Sequence, residues 1–168
     1  MFSPSSISFK NGQWRTFSYE RLKDNFSEKS WSQIFSSVDS DDQFRQIINL
    51  CPETTSCYVL YKNDIFTGAF VFLIKDVDKD NVLSIHGGGE SFIDKRFLFR
   101  AYIEMIFAIL GDGYRVQTTY SENNYKAAKF NSVVGFKTYK NENGRVHLEI
   151  DDKGLINSSM YKYLYSTK

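Results

Sequence analysis

The hydrophobic pattern changes its period several times along this chain, and each change marks an element. Cys57 to Tyr61, Phe66 to Val77 and Val82 to His86 are β-rich runs joined by the short polar connections Lys62-Asn63-Asp64 and Asp78-Lys79-Asp80-Asn81, which predicts an antiparallel meander. The middle run, Gly68 to Ile74, is apolar on both faces, as suits a central strand with helices on each side. From about Arg96 to Leu110 the apolar residues recur at helical spacing, and Tyr114 to Tyr120 returns to a strand pattern. A helix between two strands is the crossover that parallel neighbours need, so the sheet is predicted to be mixed.

The stretch Asn124 to Phe136 is the most specific in the chain. Ser121, Asn123 and Asn124 offer oxygens to the open N–H groups of a helix start. Ala127, Phe130 and Val134 then form an apolar stripe that Gly135 ends, directly before a strand. A hairpin follows, Phe136 to Lys140 and Arg145 to Ile150 around Asn141-Glu142-Asn143-Gly144, and then an aromatic tail with Met160, Tyr161, Tyr163, Leu164 and Tyr165. At the other end, Ile7 to Lys10 reads as a short strand, and Asn11-Gly12 turns the chain into an aromatic, polar segment with Trp14, Phe17 and Tyr19. Two capped helices are predicted next, from Ser27 through Trp31, Ile34, Phe35 and Val38, and from Ser40 through Phe44, Ile47, Ile48 and Leu50, closed by Pro52.

Composition narrows the function classes. A length of 168 residues fits one domain, 1–168, with a core of ordinary size. Lys plus Arg number 21 against 20 for Asp plus Glu, so charge makes no general case for nucleic acid or an anionic membrane as partner. No apolar run approaches the length of a membrane span and the first residues lack a leader pattern. The expectation is a cytoplasmic protein in which Cys51 and Cys57 are free thiols. Those cysteines and His86 and His147 do not have zinc-ligand spacing, so no metal is expected. Aromatic residues are 17% of the chain; they line a pocket or an interface, or they replace aliphatic residues in the core, and composition does not decide between the two.

Asn124, Ala127, Phe130, Gly135 and Phe136 stand in the register of the second cofactor-binding motif of the GNAT superfamily of acyl-CoA-dependent N-acyltransferases, which the chain therefore resembles. The element order, with its antiparallel meander followed by a crossover helix, a strand, a helix and a hairpin, is similar to that fold too. The resemblance implies an α/β fold of mixed α+β type: a six- to seven-stranded sheet in which the meander gives way to two splayed parallel strands, with helices on both faces. It also implies acetyl-CoA as co-substrate and a primary amine as acceptor, with the acetyl group passed directly in a ternary complex.

In that family the diphosphate rests on N–H groups at the start of the crossover helix, where the helix dipole favours an anion. The resemblance places Lys95, Arg96, Phe97, Leu98 and Arg100 there. Asn124, Ala127 and Phe130 hold the cofactor from the second helix, while Ile85 and Gly87 face the pantetheine arm along the free edge of the first parallel strand. The triple glycine Gly87-Gly88-Gly89 suits a bulge or a close approach at that edge. An alkyl amine must lose a proton to attack, and His86, or Glu90 beyond the glycines, is the candidate base.

Two departures stand out. The first motif has no glycines: aligning Arg96 and Ala101 with its outer positions puts Phe99 where one belongs, and an alignment one to three residues earlier fits the later apolar periodicity better; Asn131 occupies the place of the tyrosine that protonates the departing thiolate, which an amide cannot do. Tyr120, Tyr125 or water is left for that task. No cysteine is placed for a covalent acyl intermediate. The competing reading is a GNAT-like scaffold that has lost turnover and serves binding or assembly. The N-terminal helices and the final hairpin would shape the acceptor surface, and the tyrosine-rich tail is a candidate for pairing subunits in a homodimer.

Overall fold

The computed structural model describes residues 2–16, 55–76, 78–88 and 94–165. The two helices predicted between Ser27 and Leu50, and the position of Glu90, lie outside these residues. In chain order the described elements are β1 (Ser6–Phe9), β2 (Gly12–Thr16), β3 (Thr55–Lys62), β4 (Ile65–Lys75), β5 (Val82–Gly88), α1 (Lys95–Gly111), β6 (Arg115–Ser121), α2 (Tyr125–Val134), β7 (Lys137–Glu142), β8 (Arg145–Ile150), α3 (Asp152–Ile156) and α4 (Ser159–Tyr165).

The strands form one mixed sheet in the order β1-β2-β3-β4-β5-β6-β8-β7. Every pairing is antiparallel except β5 with β6, the two strands joined through α1. The mixed sheet and its topology are those expected, with one strand more than the six or seven anticipated. The addition is β2. Asn11, at a φ of 66°, closes a two-residue turn that pairs Phe9 with Gly12. The aromatic, polar segment after it is thus a strand, with Trp14 fully buried and Gln13 and Arg15 less so. The aromatic tail is the short helix α4, preceded by the one-turn helix α3.

Alternation decides what each strand buries. Tyr58 and Leu60, Ala69, Val71 and Leu73, Leu83 and Ile85, Val116, and Leu148 and Ile150 point to the same side and join one core with the four described helices. From α1 this core takes Phe97, Ala101, Tyr102, Ile103, Met105, Ile106 and Ile109. Trp14 ties the sheet to that helix, its Nε1 donating to Ala101 O at 2.8 Å. Along β4 the stretch Gly68 to Leu73 is buried on both faces, which agrees with its central place.

The ends of α2 are set as its sequence dictates. Asn124 Oδ1 accepts from Ala127 N at 3.1 Å as the N-cap, and Gly135 closes the helix in the left-handed region at a φ of 113°. A Cβ on Gly135 would lie 2.3 Å from Gly154 O, so the same glycine lets α3 pack against the end of α2. Among the described residues no helix is long and apolar enough to cross a membrane.

Candidate functional site

The two parallel strands part halfway along. Their ladder consists of Val82 with Arg115, Leu83 with Val116 and Ser84 with Gln117. Beyond that point β6 stays with β8, from Val116 opposite Ile150 up to Ser121 opposite Arg145, while β5 stays with β4, through Phe72 opposite His86 to Phe70 opposite Gly88. A side chain marks the fork: Thr118 Oγ1 donates to Ile85 O at 2.7 Å, in a buried contact. At the paired end, just before β5, Asn81 O accepts from Arg115 N at 2.7 Å. Odd-numbered residues of this strand therefore aim their backbone groups at β6, and strand alternation turns the N–H and C=O of Gly87 into the fork, past the last ladder pair.

On the helical side the fork has an aromatic wall. A Cβ on Gly87 would come within 2.2 Å of Tyr102 Oη, so the ring lies directly on the strand, its hydroxyl donating to Phe70 O at 2.9 Å. Only glycine fits beneath it. Phe130 of α2 meets Tyr102 edge-on at 5.4 Å, and Phe99 of α1 stacks on Phe130 at 4.9 Å. An aromatic row thus runs from the strand edge outward between α1 and α2. Asn131, buried, donates from Nδ2 to Ala127 O at 2.9 Å and is spent on its own helix.

On the opposite side of the sheet polar side chains gather at the fork, beside the buried Phe70 and Phe72 of β4. Extending the register of the ladder puts His86 of β5 on the same face as Ser84 and as Gln117 and Thr119 of β6. Arg145 of β8 reaches Thr119, its Nε donating to Oγ1 at 3.2 Å. Burial, and secondarily the positive field of Arg145, pushes the His86 imidazole down to about 4. His86 is consequently neutral at pH 7, able to accept a hydrogen bond or a proton relayed by water, though a weak base. Burial holds the Cys57 thiol well above its ordinary range, which leaves it protonated and unreactive.

The cationic residues predicted on α1 face another way. Asp94 caps this helix, Oδ1 accepting from Arg96 N at 3.0 Å, and Lys62 Nζ stands 3.8 Å from its other oxygen. Arg96 lies over the Tyr163 ring at 5.2 Å and Arg100 over Tyr165 at 4.8 Å, both on α4. With Lys10, Asn11, Lys62, Asp94, Phe97 and Leu164 these two arginines line a cleft of about 240 Å³. Arg100 Nε is buried and has no hydrogen-bond partner among the described residues. Lys95 is exposed and Leu98 half-buried. Phe97 is buried, packed on Phe9 at 5.6 Å, with Lys62 Nζ 5.0 Å from its ring centroid.

The structure thus brings Ile85, His86, Gly87 and Phe130 together around the fork, with Asn124 and Ala127 on the adjoining first turn of α2, and sets Arg96 and Arg100 toward α4. Sequence reasoning missed Tyr102, Thr118 and Arg145. Tyr102 is one helical turn from Phe99 and could have been found from that spacing; the other two are identified only by strand register.

No protein-family model matches the sequence, and no curated protein matches it. Solved structures match the fold. The chain superposes on a probable acetyltransferase of the GNAT family from Chromobacterium violaceum with a TM-score of 0.67 at 15% identity, over 90% of this chain and 89% of that one. A nucleotide-linked sugar GNAT, FdhC, gives 0.66 at 10% identity over 98% and 97%. The Campylobacter jejuni N-acetyltransferase PseH, solved in complex with acetyl coenzyme A, gives 0.57 at 9% identity over 84% and 99%. The chain has the fold of the GNAT N-acetyltransferases.

Proposed function

We propose that this protein is an acetyl-CoA-dependent N-acetyltransferase that passes the acetyl group directly to a primary amine. The observation that carries the reading is the fork: a strand edge left open within a sheet, with backbone donors on it and a neutral imidazole beside it. The pantetheine arm carries amides and matches such an edge as an added strand does. Gly87 N–H, aimed into the opening, is suited to polarise the thioester carbonyl as negative charge develops on its oxygen.

The acceptor approaches from the polar face. Its nitrogen attacks the carbonyl carbon, the C–N bond forms and the C–S bond breaks; the amine proton leaves through water toward His86, and the thiolate of CoA is protonated from solvent or a nearby tyrosine. The first turns of α1 and α2, with Phe97 N–H, Leu98, Asn124 and Ala127, take the diphosphate end. Lys62 and Lys95 supply positive charge around it, while Arg96 and Arg100 are engaged by the rings of α4, and Phe130 forms the wall along which the arm lies. Glu90 is the second candidate base. Isothermal titration with acetyl-CoA, followed by thiol release against an amine panel, tests the reading. Absence of binding at high micromolar concentration refutes it.

One observation favours a second reading, a scaffold that binds without turnover. The Phe99–Phe130–Tyr102 row occupies the space between the two helices, and the Asp94 carboxylate sits at the helix mouth where an anion would rest. Binding of acetyl-CoA without thiol release would favour it.

A further inference from the structure

The face of the sheet that carries His86 has a cation to spare. Around it the charged and amide groups are matched with one another. Arg115 pairs with Glu149 at 2.7 Å, Gln117 Nε2 donates to the same carboxylate at 2.9 Å, Tyr139 Oη donates to Gln117 Oε1 at 3.3 Å, and Lys140 pairs with Glu142 at 2.6 Å. Arg145 is different. Its Nε is spent on Thr119 Oγ1, and among the described residues no carboxylate forms an ion pair with it. Glu142, opposite Arg145 in the hairpin register, is taken by Lys140, and a half-buried guanidinium that has no counter-ion and no partner for its two terminal nitrogens among the described residues is arranged to receive two oxygens at once.

Its location says whose oxygens they are. Thr119, to which Arg145 is fastened, is where the ladder would have paired His86 had the strands stayed together. The guanidinium therefore flanks the opening on the side from which an acceptor must come, away from the aromatic wall.

We propose that Arg145 anchors an oxyanion carried by the acceptor, so that the substrate is an amine bearing a carboxylate or a phosphate and not a simple alkyl amine. The inference rests on the acetyltransferase reading. Bidentate pairing fixes the anionic end and leaves the amine to swing toward Gly87 and His86, while a neutral amine gains no hold and leaves the guanidinium unpaired.

Matched acceptors test this: glycine against glycinamide, and O-phosphoethanolamine against ethanolamine, by thiol release from acetyl-CoA. The expected result is a preference of tenfold or more in kcat/KM for the anionic member of at least one pair, carried mainly by KM. In Arg145→Gln it falls below twofold, and in Arg145→Lys it is partly restored, with the affinity for acetyl-CoA unchanged in both. The pair that shows the preference identifies carboxylate or phosphate. In parallel, the Arg145 Nε–H resonance is followed by NMR while inorganic phosphate or glycine is added. Equal turnover of charged and neutral amines overturns the inference and leaves acetyl transfer standing. An Arg145-dependent anion response with no turnover of any amine keeps the anion site and removes the acetyl-transfer reading. Neither response nor turnover overturns both.

Discussion

Gly87→Ala is the substitution most sensitive to the packing at the fork. The added Cβ would lie 2.2 Å from Tyr102 Oη, 2.3 Å from Cε1 and 2.5 Å from Cζ, whereas carbon atoms in contact sit about 3.5–4.0 Å apart. The ring has to move by more than about 1 Å. It is held on three sides, by Phe70 O, by Trp14 at 5.5 Å and by Phe130 at 5.4 Å. Overpacking of this kind costs about 1–3 kcal/mol, and breaking the buried hydroxyl bond adds about 1 kcal/mol. We expect a loss of about 2–4 kcal/mol, which at a urea m-value of about 2 kcal/mol/M lowers the midpoint by about 1–2 M with the slope unchanged. The decisive assay is a double-mutant cycle with Tyr102→Ala. That change alone leaves a cavity and is destabilising by several kcal/mol, but in its background the alanine at 87 meets open space and should cost less than about 1 kcal/mol. Tyr102→Phe should give no such relief, because the ring carbons remain. Additivity of Gly87→Ala and Tyr102→Ala within about 0.5 kcal/mol would refute the placement of the ring on the strand.

Three further outcomes are expected. His86 is neutral in the folded chain down to about 4, whereas in the unfolded chain it titrates near 6.5, so below pH 6.5 the unfolded state binds more protons and stability falls as pH drops toward 4. The difference amounts to about 3 kcal/mol; urea midpoints measured across that range should fall for the native chain and much less for His86→Gln, and parallel slopes would show that His86 is not buried as described. Gly135→Ala combines a φ of 113° with a Cβ 2.3 Å from Gly154 O, and should lower the melting temperature by at least 4 °C, for a cost of about 2 kcal/mol or more, measured by circular dichroism. Phe130→Ala should weaken acetyl-CoA binding in calorimetry if the aromatic row is the wall of the cofactor channel; tighter binding would mean that it is a plug and would favour the scaffold reading.

The parts of the fold legible in the sequence are those fixed by neighbours along the chain. Asn124 caps α2 and Gly135 stops it because both roles are local, and the two-sided apolar run of β4 announces a central strand by itself. β2 escaped because only Trp14 of Gly12–Thr16 is a large apolar side chain, and one residue shows no period. α4 escaped for a related reason: its tyrosines spread around the helix, with Leu164 buried and Tyr163 exposed. That omission carried over to the site. The family resemblance assigns Arg96 and Arg100 to the helix start, but their direction is set by the rings of α4 lying over them. Gly87 was legible as a place of close approach, but its partner Tyr102 comes from the next element. The approach of Arg145 to Thr119 depends on β8 inserting between β6 and β7, which no local pattern encodes.

The bond from Thr118 to Ile85 has a consequence for solubility. Unpaired strand margins usually lie at the rim of a sheet, where they invite the sheets of other molecules and promote aggregation. This chain keeps such a margin indoors, with β6 and β8 standing close by as a fence. A foreign sheet is too broad to enter there, so the hydrogen-bonding groups stay available to a slender guest, whereas the outer strand β7 is exposed along its whole length.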